Sequence, residues 1–162
     1  PIFQSTVFNV LVDLYGNLVP SKAIKRKGYD FTGKRILLAE DNKINQEIAV
    51  ELLSMVGFEV DCAEDGKEAL EMFTSSDENT FDAILMDIQM PNMDGYESTK
   101  EIRKSNHKNA KTIPIYAMTA NAFSEDIANA FSAGMNGHIS KPINTKILYE
   151  TLQKAIFEKN DR

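Results

Sequence analysis

Polar residues with complementary chemistry stand at the ends of four short apolar runs in this sequence. They are the acid pair Glu40 and Asp41, the single acid Asp87, the hydroxyl of Thr119 and the ammonium of Lys141. Carboxylates held close together repel one another, and burying them is costly unless a cation neutralises them. Magnesium prefers oxygen ligands and commonly takes one or two carboxylates together with water and a phosphate group. These residues predict a magnesium-dependent phosphoryl-transfer site, with Asp87 as nucleophile, Lys141 as fixed cation and Thr119 as hydroxyl donor.

Asp87 has the best defined position, because the chain must change direction directly after it. Residues 83–86 form an apolar run of strand length, and the polar segment 89–95, which contains Pro91, prevents its continuation. In an open parallel α/β sheet, ligands bind outside the carboxyl ends of the strands. The carboxylate of Asp87 is therefore predicted at the ligand-binding edge of a sheet.

The elements that would bring the other residues to the same edge follow from hydrophobic periodicity. Five strand-length runs alternate with helical patterns, and the runs cover residues 35–39, 59–63, 83–86, 113–118 and 137–140. This alternation predicts an α/β fold with a parallel sheet, helices on both faces and right-handed crossovers. We predict a doubly wound sheet of order 2-1-3-4-5, because strands one and three then lie side by side and bring Glu40, Asp41 and Asp87 together.

Helical spacing also predicts which residues face the sheet. Asn42 is a suitable N-cap for the first helix, and Gly57 ends it. The predicted inward residues of this helix are Ile44, Ile48, Leu52 and Met55. Those of the fourth helix, predicted at residues 123–133, are Ile127, Ala128 and Phe131.

Composition predicts a cytoplasmic protein under reducing conditions. The 162 residues suffice for one domain with an appendage, and the single cysteine, Cys62, cannot form an internal disulfide. The chain opens with no secretory leader pattern and contains no apolar run of membrane-spanning length. We expect no membrane contact by this fragment, although its parent protein could be membrane-anchored. The net charge of −6 argues against direct binding to nucleic acid.

Residues 1–32 are predicted to form an N-terminal helix and a basic linker, before a main domain at residues 33–162. Apolar residues at helical spacing cover residues 1–15, and the basic run at 22–27 is interpreted as a solvated connector. The apolar offsets after Pro1 recur after Pro142. We hypothesise that this helix is the last one of a preceding domain of the same kind. The alternative is an N-terminal helix that belongs to the main domain and packs against it.

Four motifs give the main domain a resemblance to a known family. They are Leu-Ala-Glu-Asp-Asn at 38–42, Met-Asp-Ile-Gln-Met-Pro-Asn-Met-Asp-Gly at 86–95, Met-Thr-Ala-Asn-Ala at 118–122 and Ser-Lys-Pro-Ile at 140–143. With them, residues 35–159 resemble the receiver domain of two-component response regulators, in the form found in hybrid sensor histidine kinases. The resemblance implies a flavodoxin-like fold.

The resemblance also implies roles for the acidic cluster. Asp87 would accept a phosphoryl group from a phosphohistidine, and Asp41 would bind Mg²⁺ directly, with Mn²⁺ as a substitute. Glu40 would act on the metal mostly through water, and the backbone carbonyl of Gln89 would be a further ligand. Lys141 would contact the phosphoryl group, and the peptide bond that follows it would be cis.

Switching and tuning residues are implied in the same way. In receivers a threonine, here Thr119, moves toward the phosphoryl group, and an aromatic residue three positions before the lysine rotates behind it. That aromatic position holds His138, which departs from the usual Tyr or Phe. A half-exposed histidine with no switching role is the alternative interpretation. Gln89, Ala120 and Asn121 are expected to tune phosphoryl hydrolysis.

The resulting functional prediction is a phosphoacceptor receiver domain in a phosphorelay, within a hybrid histidine kinase. Its expected partners are a histidine kinase core, a histidine phosphotransfer protein, or both. The sequence predicts neither whether the domain acts as an enzyme nor its oligomeric state. The alternative is a Mg²⁺-dependent phosphatase with an aspartyl-phosphate intermediate. Such enzymes commonly carry a second acid two residues after the nucleophile, where this chain has Gln89. A flavodoxin-like nucleotide site is disfavoured because Glu40 and Asp41 would repel phosphate.

Overall fold

The computed structural model describes residues 29–120 and 124–157, which form a five-stranded parallel sheet with helices on both faces. The strand order β2-β1-β3-β4-β5 confirms the predicted doubly wound fold. In chain order the elements are β1 (Arg35–Ala39), α1 (Lys43–Ser54), β2 (Glu59–Ala63), α2 (Gly66–Thr74), β3 (Ala83–Asp87), α3 (Gly95–Lys104), β4 (Ile115–Thr119), α4 (Ser124–Ala133), β5 (Gly137–Ser140) and α5 (Thr145–Phe157). The predicted helix at residues 1–15, the basic run at 22–27 and Asn121 lie outside the described residues.

The sheet separates two hydrophobic layers, and β1 shows how. Ile36 and Leu38 contact the layer that contains α1 and α5, whereas Leu37 and Ala39 contact the layer that contains α2, α3 and α4. Successive side chains of a strand point to opposite faces, so a strand that is buried on both faces is apolar throughout. This burial holds the strand ends, and the polar residues on them, in fixed positions.

The fourth strand starts two residues later than predicted. Ile113 and Pro114 precede it, and β4 covers Ile115–Thr119. Pro114 has no N–H to donate to a neighbouring strand, although its carbonyl accepts a hydrogen bond from Ile84 N at 2.8 Å. The strand also ends one residue later than predicted, and Thr119 is its last residue.

The buried face of α1 agrees only in part with the predicted one: Leu52 is buried as predicted, and Ile48 and Met55 pack at the margin of the core. Ile44 is 37% exposed, and Ile48 and Met55 are only half-buried. The buried residues of this helix are Gln46, Ala49, Leu52 and Leu53. The predicted N-cap is confirmed, since Asn42 accepts hydrogen bonds from the N–H groups of two first-turn residues. This cap sets the start and rotation of the helix, and Gln46 turns inward because its amide finds a backbone partner.

The prediction that Phe131 points inward is wrong, because its ring is 56% exposed. Ala128 is also exposed and Ile127 is half-buried, while Ala130 and Ala133 are buried. Small residues let the helix approach the sheet closely, so the alanines form the packed strip of α4.

Residues 29–32, which the sequence suggests are linker, pack against the body of the domain. Phe31 is fully buried, its ring centroid lies 4.3 Å from that of Phe58, and its N–H donates to Val56 O at 2.8 Å. Tyr29 lies 5.5 Å from Tyr149 of α5, measured between ring centroids. Within the two described ranges, no helix has the length and hydropathy needed to cross a membrane.

Candidate functional site

The acid pair lies on the loop between β1 and α1, and its backbone is held on two sides. The N–H of Glu40 donates to Ala63 O at 3.0 Å, and the Gln46 amide donates to Glu40 O at 3.1 Å. The carboxylate of Glu40 is buried, with 1% of the residue exposed, whereas Asp41 is exposed. Gln46 was missed by the sequence analysis because a polar residue on a helix normally reads as solvent-facing.

Asp87 ends β3 beside β1, as predicted, and is 7% exposed. The chain leaves the strand through a loop that closes when Gly95 N donates to Ile88 O at 2.9 Å. A Cβ atom on Gly95 would collide with the carbonyl oxygen of Asp87. The glycine is therefore required by the close approach of α3 to the end of β3, and this approach fixes the backbone of the candidate nucleophile.

Lys141 brings the end of β5 into the same cluster. Its Nζ lies 2.7 Å from Oε1 of Glu40 and 3.3 Å from Oδ2 of Asp87. The backbone N–H of Lys141 donates to Thr119 O at 2.8 Å, which ties β5 to the end of β4. The predicted cis peptide bond between Lys141 and Pro142 is confirmed. One ammonium is thus shared by two buried carboxylates.

The shared ammonium does not neutralise both acids, and the pKa values reflect this. Burial, together with hydrogen bonding and repulsion from Glu40, raises the pKa of Asp87 to about 7, against the smaller opposing effect of Lys141. Burial also acts on Glu40, but its hydrogen bonds with Asp87 and Lys141 more than offset burial and lower its pKa. Without a bound cation, the pair therefore retains a proton on Asp87 close to neutral pH.

The donor set fits a hard divalent cation. Oxygen atoms of Glu40, Asp41 and Asp87 all lie within 4.8 Å of one another. Three carboxylates facing one ammonium leave an excess of negative charge, and Mg²⁺ takes carboxylate oxygens while keeping several waters. Exposed Asp41 leaves room for those waters at the surface, and Gln89, also exposed, lies at the entrance of the site.

A cavity of about 120 Å³ opens beside Asp87. This volume holds several water molecules, and hence a phosphoryl group. Among the residues that line it are Gln89, Thr119, Ala120 and Lys141. The predicted hydroxyl and ammonium, and two of the three predicted tuning residues, Gln89 and Ala120, therefore share one cleft with Asp87.

His138 lies in β5 opposite Ala117 and is half-buried. It stands three residues before Lys141, the position at which the resemblance predicts a switching ring. Tyr96 and Asp126, which the sequence analysis did not select, line a wider depression beside the cleft, and the Tyr96 hydroxyl donates to Asp126 O at 3.2 Å. The position of Tyr96 directly after the Gly95 turn is the signal that could have drawn attention to it.

The fold and this cleft define a doubly wound α/β domain with an acidic cleft at the carboxyl edge of its sheet, and comparison with known proteins identifies its family. The profile of the response regulator receiver domain matches residues 36–153. The chain belongs to this family.

Curated relatives carry similar domains within much longer proteins. The chain is 37% identical over 158 residues to hybrid signal transduction histidine kinase I of Dictyostelium discoideum, covering 96% of the chain and 9% of that protein. It is 31% identical over 177 residues to probable histidine kinase 6 of Oryza sativa subsp. japonica, covering 96% of the chain and 18% of that protein. The chain thus spans less than a fifth of the length of these relatives.

Solved structures agree with this assignment. The receiver domain of a sensor histidine kinase from Pseudomonas aeruginosa PAO1, with a magnesium ion coordinated in its active-site cleft, has a TM-score of 0.70 at 39% identity, covering 77% of this chain and 98% of that one. The receiver domain of the response regulator Ssk1 from Saccharomyces cerevisiae, in complex with the histidine phosphotransfer protein Ypd1, has a TM-score of 0.68 at 27% identity. That match covers 78% of this chain and 90% of the other.

Proposed function

We propose that this chain is the phosphoacceptor domain of a phosphorelay and takes a phosphoryl group from a phosphohistidine onto Asp87. The observation that carries the proposal is the position of Lys141 Nζ, 2.7 Å from Glu40 and 3.3 Å from Asp87, beside a cleft large enough for a phosphoryl group. In the transfer, a carboxylate oxygen of Asp87 attacks phosphorus as the phosphorus–nitrogen bond breaks. The bonding electron pair returns to the imidazole nitrogen.

The residues assigned to the metal are Asp41 and Asp87 through carboxylate oxygens, Gln89 through its backbone carbonyl, and Glu40 through water. A bound Mg²⁺ supplies positive charge that offsets the charge on the transferring phosphoryl oxygens. The related Pseudomonas receiver with magnesium in its cleft supports this assignment. Mn²⁺ is proposed to serve in place of Mg²⁺, because it accepts the same oxygen ligands.

Lys141 and Thr119 are assigned to the phosphoryl oxygens. Lys141 presents an ammonium that already contacts the nucleophile's carboxylate, and Thr119 lines the same cavity. Thr119 and His138 are the proposed switch residues, and Gln89, Ala120 and Asn121 the proposed tuning residues. His138 stands behind the β4 end on the neighbouring strand, where a ring movement would accompany a shift of Thr119.

The parent protein is proposed to be a cytoplasmic or membrane-anchored hybrid histidine kinase. The hybrid kinase relatives support this context. Its partners would be the histidine kinase core, a histidine phosphotransfer protein, or both, and the yeast receiver in complex with such a protein supports the second. The phosphatase alternative lacks support, since the family match is to receivers and Gln89 offers no carboxyl group for proton transfer.

Phosphorylation with a small-molecule donor tests the proposal. Wild-type protein mixed with phosphoramidate and Mg²⁺ should gain one acid-stable, base-labile phosphoryl group, measured by intact-mass spectrometry, and chelation of Mg²⁺ should abolish the gain. Asp87→Asn should gain none. The matched control is Asp77→Asn, which changes an exposed aspartate before β3, at the opposite edge of the sheet, and should be labelled like wild type. Labelling of the Asp87→Asn protein would refute the assignment.

A further inference from the structure

The turn between β2 and α2, residues 63–66, contacts both loops that carry the proposed metal ligands. On the side of the acid pair, Ala63 O accepts the hydrogen bond from Glu40 N at 3.0 Å. On the same side, Lys43 Nζ lies 2.5 Å from Oε1 of Glu64, although both side chains are largely exposed and such a pair contributes little. The backbone bond is therefore the firm link between this turn and the β1–α1 loop.

On the other side, the same turn holds the loop between β3 and α3. The Asn92 amide donates to Oδ2 of Asp65 at 2.8 Å, and Gly66 N donates to Met93 O at 3.0 Å. The hydroxyl of Ser98, which is fully buried in α3, donates to Gly66 O at 2.7 Å. Three hydrogen bonds thus join the start of α2 to the end of this loop and to the helix that follows it.

The residue types at these contacts are the ones that the geometry demands. A Cβ atom on Gly66 would collide with the carbonyl oxygen of Met93, so the close approach needs glycine. Asn92 has φ +66°, a left-handed conformation that asparagine tolerates better than most residues. Asp65 uses both carboxylate oxygens: Oδ1 caps α2 by accepting from Glu68 N at 2.7 Å, and Oδ2 accepts from Asn92.

Between these contacts, the β3–α3 loop contains a short segment that the turn does not hold directly. Ile88 is anchored at one end, since its N–H donates to Met118 O at 3.3 Å and its carbonyl accepts from Gly95 N at 2.9 Å. Asn92 and Met93 are anchored at the other end by the turn. Only residues 89–91 lie between, and Gln89 is the one whose carbonyl is assigned to the metal. The turn therefore helps to set the position of that carbonyl relative to Glu40 and Asp41.

We propose that residues 63–66 form a brace that fixes the spacing of the two metal-binding loops, and that Asp65 and Asn92 are positioning residues for the magnesium site. The inference rests on the proposed function, because it needs a cation bound by Asp41, Asp87 and the Gln89 carbonyl. The brace acts through backbone placement, so neither side chain touches the cation. Outer partners of metal ligands commonly change metal affinity about 10- to 100-fold. For an exposed side-chain hydrogen bond we expect a smaller change, about 3- to 10-fold.

Two variants remove the Asp65–Asn92 bond while sparing the local backbone. Asn92→Gly deletes the amide and tolerates the positive φ. Asp65→Ser retains an N-cap acceptor for α2 but deletes the second carboxylate oxygen. The control is Asn79→Gly, because Asn79 is also exposed, has φ +64° and contacts another loop through its amide oxygen, 3.2 Å from Asn109 Nδ2. It precedes β3 and therefore lies at the opposite edge of the sheet.

Mg²⁺ affinity is measured by titrating MgCl₂ at constant ionic strength and following backbone amide shifts by NMR. Asn92→Gly and Asp65→Ser should each bind Mg²⁺ about 3- to 10-fold more weakly than wild type, and the double variant no more weakly than either single one. In metal-free protein, the Gly66 amide should exchange with solvent about tenfold faster in both variants. Asn79→Gly should match wild type in both measurements, even where it lowers the thermal stability as much as the other two variants do.

Variants that bind Mg²⁺ like wild type would overturn the brace and leave the proposed function intact. Additive losses in the double variant would also overturn it, because the two residues would then act independently. A wild-type protein without Mg²⁺ affinity would instead refute the proposed function, and the brace with it. These outcomes distinguish failure of the inference from failure of the function on which it rests.

Discussion

The chemistry of the cleft depends on a proton that Asp87 and Glu40 compete for. Lys141 contacts both carboxylates, but it carries one positive charge against two buried acids. The pKa of Asp87 is raised to about 7, so the metal-free cleft stays close to charge balance by keeping a proton there. Binding of a divalent cation must release that proton, and Mg²⁺ affinity is therefore expected to rise with pH up to neutrality.

The same proton makes the stability of the metal-free protein depend on pH. Asp87 has a folded-state pKa of about 7 against a usual value of 3.8, so the folded protein binds more protons between these values. The free energy of unfolding then falls as pH rises through this window. Asp87→Asn removes this titration. The free energy of unfolding of the variant, relative to that of wild type, should therefore increase by about 2 kcal/mol from about pH 5 to about pH 8.

Urea unfolding in chelator, at the two pH values and equal ionic strength, measures this difference. The expected gain is smaller than the full shift of Asp87 implies, because the part of that shift between pH 3.8 and about pH 5 lies below the window. Glu40, whose pKa is lowered from its usual 4.5, also titrates below this window. Asp77→Asn serves as the control and should keep the wild-type pH profile. Parallel profiles for wild type and Asp87→Asn would contradict the shared-proton description of the cleft.

At the level of the secondary-structure elements, α3 is joined to its neighbours by one half-buried arginine. The guanidinium of Arg103 donates to Gly134 O at 3.0 Å, to Ala110 O at 3.0 Å and to Oδ1 of Asn136 at 2.9 Å. The same Asn136 oxygen accepts from Ile115 N at 2.9 Å, so the network also joins the start of β4. It holds the C-terminal end of α4 at the amino edge of the sheet, opposite the acidic cleft.

We predict that Arg103→Lys lowers the free energy of unfolding by about 1–3 kcal/mol. A lysine ammonium is a compact donor and cannot span the three acceptors that the planar guanidinium reaches, which leaves partly buried oxygens unpaired. Chemical denaturation compares this variant with Lys104→Met, which alters the adjacent exposed cation of the same helix. Equal stability of the two variants would show that the network contributes nothing measurable.

At the scale of the molecule, the segment before β1 is part of the folded unit. Phe31 is fully buried and stacks on Phe58, while Tyr29 contacts Tyr149 of α5. The segment entering the domain is thereby attached to the connection between α1 and β2 and to α5, at the amino edge of the sheet. The family profile begins only at residue 36, after these contacts.

Phe31→Ala should lower the free energy of unfolding by about 3–4 kcal/mol, because it leaves a cavity among aromatic rings. Phe131→Ala is a matched control, since it makes the same substitution at a ring that is 56% exposed, and should cost under about 1 kcal/mol. Thermal or urea unfolding of the full chain measures both. A cost for Phe31→Ala no larger than that of the control would show that the segment is not part of the cooperative unit.

The features that depend on neighbouring residues could be predicted from the amino-acid sequence. Strand ends at Asp87 and Thr119 follow from apolar runs interrupted by turn residues, and the cap at Asn42 follows from residue type. The alternation of elements left only a few strand orders that satisfy the crossover rules, and the order 2-1-3-4-5 was chosen because it brings Glu40, Asp41 and Asp87 together. The motifs then identified the family.

Contacts between atoms that are distant in the sequence could be read only from the folded chain. Lys141 and Glu40 are separated by 101 positions, and their 2.7 Å contact exists because β5 and β1 end at the same edge of one sheet. For the same reason, neighbouring residues in the sequence do not indicate three other features. These are the hydrogen bond between Asp65 and Asn92, the burial of Phe31 and the exposure of Phe131. Each depends on how far helices and loops approach across the sheet, and that distance is set by the packing of the whole core.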